Sequence, residues 1–265
     1  MNSGGRPVVA AHADCCASAG FTRWSGFAPA GSIDSSRVSS NVILRDFQAL
    51  LSHIYGIDQC HDIYDFLVTD ATILAKLEAP NSARATEEKL LIHEQEDEVG
   101  VMLYLNSALL KRLMAKDPRH YLGQNNLADF CKVLEGISHF IYLAWNAAAD
   151  KSVTLMEMEL QAEVDKYIGA RVLLQQQDSS PLHDSLFDRL FDDPRFDERL
   201  GPEELMRYRH ASSYAGRYCL SLEKRFPGDK MGLPRFDLDM IRDLRAFYRL
   251  PQPEKVSHIQ SAAFA

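Results

Sequence analysis

The stretch Asn126 to Gln177, NLADFCKVLEGISHFIYLAWNAAADKSVTLMEMELQAEVDKYIGARVLLQQQ, decides the fold. Leu127, Phe130, Leu134, Ile137, Ile141, Ala144 and Ala148 recur at spacings of three and four. Val153, Met156, Leu160, Val164, Tyr167 and Val172 do much the same after the polar turn Asp150-Lys151-Ser152. Each segment therefore reads as an amphipathic helix. A connection this short makes the two helices antiparallel neighbours, with their apolar stripes meeting and further elements packed around them.

Upstream, residues 1–40 are rich in Gly, Ala and Ser and lack a consistent apolar period. They are expected to form a disordered leader, because so little apolar surface cannot offset the entropy of ordering the chain. A single mainly helical domain is then expected over 41–265. Val42 to Ile54 predicts a helix stopped by Gly56, and His61 to Leu77 a short element followed by a helix capped near Thr69 or Asp70. Ala79-Pro80-Asn81-Ser82 marks a break.

Lys89 to Asn106 has a different period. Val101, Leu103 and Leu105 alternate with Gly100, Met102 and Tyr104, and Leu90-Leu91-Ile92 precedes the acidic run Glu94 to Glu98. This pattern predicts a β-hairpin, which must pack on the helices or find a third strand to be stable. Further helices are expected from Asn106 or Ser107 to Met114, around Leu182 to Phe191, from Pro202 to Arg225 and over Leu238 to Leu250. A last helix after Pro253 would dock through Val256 and Ile259. The fold class is thus mainly α with a small β-hairpin (α+β), a multi-helix domain built around an antiparallel helical hairpin.

Composition narrows the function classes. Hydrophobic residues at 46% and charged residues at 25% match an ordinary globular chain, and no apolar run is long enough to span a membrane. The formal net charge of -8 argues against nucleic acid and leaves protein as the expected partner class. Cys15, Cys16, Cys60, Cys131 and Cys219 are odd in number and lack zinc-ligand spacing, which suits a reducing, cytoplasmic setting.

Candidate chemistry centres on the helical pair. Lys132, Glu135, His139, Tyr142 and Asn146 share one helical face, as do Glu159, Glu163 and Lys166 on the second helix. Convergence of those faces would bring Glu135, His139, Glu159 and Glu163 into the kind of carboxylate and imidazole set that holds metals in helical bundles. The spacing differs from the Glu-x-x-His of two-metal bundles, since Glu135 and His139 are four apart and form the only such pair on these two helices. Two solvated outer faces explain the same residues more simply.

His93-Glu94 lacks the second histidine of a zinc-protease motif, because position 97 is Asp97. His61-Asp62 and His183-Asp184 lack a suitably spaced upstream histidine. Arg207, Arg209, His210 and Arg217, interleaved with Tyr208, Tyr214 and Tyr218, form a basic and aromatic face that could stack on single strands. The acidic whole favours pairing of these arginines with acidic turns instead. No motif specifies a cofactor. Two function classes remain: a non-catalytic cytoplasmic interaction or regulatory protein, and a metal-dependent hydrolase or oxidase using the Glu135/His139 face.

Overall fold

The computed structural model describes residues 21–23, 37–58, 60–77, 86–95, 98–177, 180–227 and 238–262. The central pair is α5 (Leu127–Ala148) and α6 (Leu155–Gln175). Thr154 caps α6 by accepting the Glu157 N–H at 3.1 Å, and Asp150 takes a left-handed φ of 53° in the connection. Before the pair come β1 (Phe21–Arg23), α1 (Arg37–Tyr55), α2 (Ile63–Phe66), β2 (Leu67–Val68), α3 (Ala71–Leu77), β3 (Glu88–Gln95), β4 (Glu98–Leu105) and α4 (Ser107–Ala115). After it come a π-helical turn (Asp188–Asp192), α7 (Pro202–Arg225), α8 (Leu238–Arg249) and α9 (Gln252–Ala262).

The hairpin β3–β4 is antiparallel, with Leu90 opposite Leu103 and Ile92 opposite Val101. It is part of a larger sheet than the sequence suggests. Since β3 covers one edge of β4 along its whole length, β1 and β2 lie end to end and parallel on the other edge. β4 is buried on both faces: Val99, Val101, Leu103 and Leu105 join the main core against the helices, while Met102 and Tyr104 join a smaller cluster with Val68 and Leu74. That double burial explains why β4 reads as a nearly continuous apolar run.

α6 lies between α5 and α7, and α1 packs on α5 and α8. Four sequence expectations change. Within the stretch expected to be a leader, 21–23 form a strand on β4 and α1 begins at Arg37; the rest of that leader lies outside the described residues, as does the break at 79–82. The short helix near Phe191 is a turn followed by a π-helical turn. The last helix docks through Lys255 and Ile259, with Val256 only half-buried. Finally, the polar face of α5 points inward: His139, Tyr142 and Asn146 are buried.

Candidate metal centre

α5 and α6 meet along a polar seam. From α5 come Glu135 and, one turn later, His139; from α6 come Glu159, Glu163 and Lys166. One ligand atom each from Glu135, His139 and Glu159 lie within 4.8 Å of one another. His139 Nε2 stands 3.5 Å from Glu159 Oε2, and His139 is 7% exposed. The candidate residues of the central pair are therefore brought together, and the solvated outer faces that explained them more simply are absent at these positions. Glu163 belongs to the same seam but is engaged differently, accepting from Lys166 Nζ at 2.6 Å, while Glu135 Oε2 accepts from the same ammonium at 3.1 Å.

Glu88, at the start of β3, completes the cluster and is absent from the sequence-based candidates. Its Oε1 lies 3.8 Å from His139 Nδ1, on the opposite side of the ring from Glu159. A carboxylate at one ring nitrogen fixes the tautomer that offers the other nitrogen to a metal. The alternation of β3 carried a usable signal: Glu88 shares a face with Leu90 and Ile92, both of which pack against the core. Gly136 makes room for it. A Cβ there would stand 2.9 Å from Glu88 Cγ and 3.0 Å from Leu103 Cδ1.

Gly136→Ala is accordingly expected to push Glu88 away from His139. Overpacking of about 1–3 kcal/mol is offset by about 1 kcal/mol of helix propensity, so urea unfolding should register a net loss of about 1 kcal/mol. Imidazole titration by NMR should show His139 protonating at lower pH than in wild type. An unshifted titration would mean that Glu88 does not govern His139.

α7 closes the cluster. Arg207 Nε is 3.7 Å from Glu159 Oε1, and burial together with Glu159, Glu135 and Glu88 holds the Tyr208 phenol well above its ordinary range. Arg207 also lines a cleft of about 650 Å³ with Gly201, Pro202, Glu203 and Glu204 at the start of the helix, so the cluster borders an opening to solvent. The rest of the basic face goes elsewhere. Arg209 and Arg217 are exposed at the rim of a groove floored by Phe187, Phe191 and Phe196, and His210 is exposed.

Burial raises the Glu88 and Glu163 carboxyls. Burial alone would lower His139 and Lys166, but Glu159 and Glu88 carry the imidazole well above its ordinary value, and Glu135 and Glu163 do the same for the ammonium. Glu135 is held low by Lys166 and His139 against the effect of burial. Several carboxylates thus share a poorly hydrated space and demand positive charge. Among the described residues, Glu88 Oε1, His139 Nε2 and Arg207 Nε are buried without a hydrogen-bond partner, and all three border this cluster.

The donor set of imidazole and carboxylates is hard to borderline. It fits a first-row divalent ion such as Mn²⁺, Fe²⁺ or Zn²⁺. Cys131, one turn before Glu135, is not among the donors that converge, and burial pushes its thiol up to about 12. The His-Asp dipeptides have local roles: Asp62 caps α2 and pairs with Arg45, and the His183 ring bonds the Gln177 carbonyl oxygen at 2.8 Å. No helix among the described residues is long and apolar enough to cross a membrane. Compared with protein-family models, with curated proteins and with solved structures, the chain finds no match.

Proposed function

We propose that the chain is a metal-dependent enzyme, a hydrolase or oxidase, whose metal is held by Glu135, His139 and Glu159. The observation that carries this reading is the buried convergence of those three donors, with His139 Nε2 left without a hydrogen-bond partner inside it. Three protein ligands leave positions open for substrate, as catalytic sites require. A divalent ion there supplies Lewis acidity. Glu88 holds the His139 ring, Lys166 keeps Glu135 ionised, and Arg207 offers a cationic, hydrogen-bonding group where the cluster borders the cleft.

A second reading, a cytoplasmic interaction or regulatory protein, draws on the groove of about 350 Å³ between the π-helical turn and α7. Its aromatic floor and arginine rim suit an apolar, acidic segment of a protein partner. The free thiols of Cys131 and Cys219 accord with a reducing compartment.

Metal analysis of the chain purified without chelators tests the first reading. Wild type is expected to carry stoichiometric Mn, Fe or Zn after supplementation, and His139→Ala and Glu159→Gln to carry little. Glu163→Gln should retain it. Absence of metal from supplemented wild type would discard the enzyme reading and leave the groove as the functional surface.

A further inference from the structure

Lys166 is an unusual neighbour for a metal centre. It is 8% exposed, on the inner face of α6, and two of its three N–H donors are used by carboxylates from two helices: Glu163 Oε1 at 2.6 Å and Glu135 Oε2 at 3.1 Å. Glu135 therefore serves two neighbours. Its Oε2 accepts from Lys166, and one of its carboxylate oxygens lies within 4.8 Å of ligand atoms of His139 and Glu159. In bundle centres that hold two metals, carboxylates from facing helices lie between cations about 3.5–4 Å apart. Here a carboxylate in that shared position has the chain's own ammonium on one side.

We infer that the centre takes a single divalent ion, and that the Lys166 ammonium stands where a second ion would otherwise sit between Glu135 and Glu163. This rests on the metal reading above and deepens it. Charge supports the count independently of geometry. Glu88, Glu135, Glu159 and Glu163 supply four negative charges when ionised, and Lys166 and Arg207 supply two positive ones. With His139 neutral and bound through nitrogen, one divalent ion brings the cluster to neutrality. A second would leave an uncompensated positive surplus in a buried space, which is strongly unfavourable. Space supports it too: the Glu163 oxygen a second ion would need is already 2.6 Å from Nζ.

The consequence is a division of labour along the seam. Glu135, His139 and Glu159 are ligands, while Glu163 and Lys166 form an internal ion pair that orients Glu135 from behind. Lys166 is a positioning residue, and its effect on the metal passes through Glu135.

Titration of the full-length, metal-depleted chain with Mn²⁺, read by metal analysis and low-temperature EPR, tests this. Wild type should saturate at one Mn per chain with the hyperfine pattern of an isolated ion. Lys166→Ala, which removes the ammonium and opens its space, should saturate at two, with an exchange-coupled spectrum. Two Mn per wild-type chain, or a coupled wild-type spectrum, would overturn the single-ion count while leaving the metal reading intact. One Mn in a folded Lys166→Ala would overturn the assignment of Lys166 to the second position. If that variant does not fold, Lys166→Gln takes its place, with loss of the coupled pair again counting against the assignment and the wild-type count deciding the stoichiometry. No binding of Mn²⁺, Fe²⁺ or Zn²⁺ to wild type would remove both this inference and the reading beneath it.

Discussion

The stability of the wild-type protein relative to a Lys255→Met variant should rise by roughly 4 kcal/mol between pH 7 and pH 10. Lys255 is fully buried on α9, with its Nζ 4.4 Å from the Phe247 ring centroid, 5.1 Å from Tyr142 and 5.8 Å from Tyr248. Its one hydrogen bond in the described structure goes to Gln161 Oε1 at 2.6 Å. Burial brings the amine down from its ordinary 10.5 to about 7, with Glu157 and Asp165 offsetting part of the effect. The unfolded chain therefore holds a proton through this window that the folded chain has released. More protons bound to the unfolded state means that stability rises with pH, by about 1.4 kcal/mol per unit.

Methionine fills similar space without titrating. With no metal bound, His139 gives a slope of opposite sign, because Glu159 and Glu88 raise its imidazole and that contribution is lost when pH rises through the raised value. It is common to both proteins, so the difference isolates Lys255. Urea unfolding of both proteins at pH 7, 8, 9 and 10 measures it. A flat difference would show that the buried amine keeps its proton.

Lys255 also shows where sequence reasoning stops. The helical periodicity of the central pair, the Asp70 and Asn106 caps, the stop at Gly56 with its φ of 61° and the alternation of β4 are local signals, and each is found in the fold. The side on which polar residues lie is set by elements distant in sequence. α6 buries Glu157, Glu159, Gln161, Asp165, Lys166 and Arg171 together with its apolar residues, because α5 and α7 enclose it. No apolar stripe can mark the inner face of a helix enclosed in this way. Burial of each of those groups depends on a partner elsewhere: Glu135 on α5 for Lys166, Arg207 on α7 for Glu159, Tyr142 on α5 for Glu157. Val256 looked like the anchor of α9 by hydrophobicity alone, whereas the inward position is taken by a lysine that finds Gln161 and three aromatic rings.

Asp165→Ala is expected to cost roughly 2–6 kcal/mol, since it leaves the buried Ser138 and Tyr55 hydroxyls without an acceptor at about 1–3 kcal/mol each, while Gln161 Nε2 keeps the Tyr55 oxygen at 3.1 Å. Asp165 accepts from Ser138 Oγ at 2.6 Å, from Gln161 Nε2 at 2.8 Å and from the Tyr55 hydroxyl, tying α5, α6 and α1 together. Asp165→Asn keeps one acceptor oxygen and should cost less. Burial raises the Asp165 carboxyl from 3.8 to about 6 against the hydrogen bonds from Ser138, Tyr55 and Gln161. Between about pH 4 and 6 the folded state therefore holds a proton that the unfolded state has lost, and this residue's contribution to stability falls as pH rises, by roughly 2 kcal/mol over the two units. Asparagine should remove that slope. Position adds a second effect: Ser138 precedes His139 and Asp165 precedes Lys166, so this network sets the register in which Glu135 and His139 of α5 face Glu159 of α6. Urea unfolding at pH 4, 5, 6 and 7, with Mn²⁺ affinity measured at pH 7, should find Asp165→Ala weakened in both and Asp165→Asn close to wild type in affinity. Equal losses in the two variants would show that the charge of Asp165, rather than its hydrogen bonds, holds the helices in place.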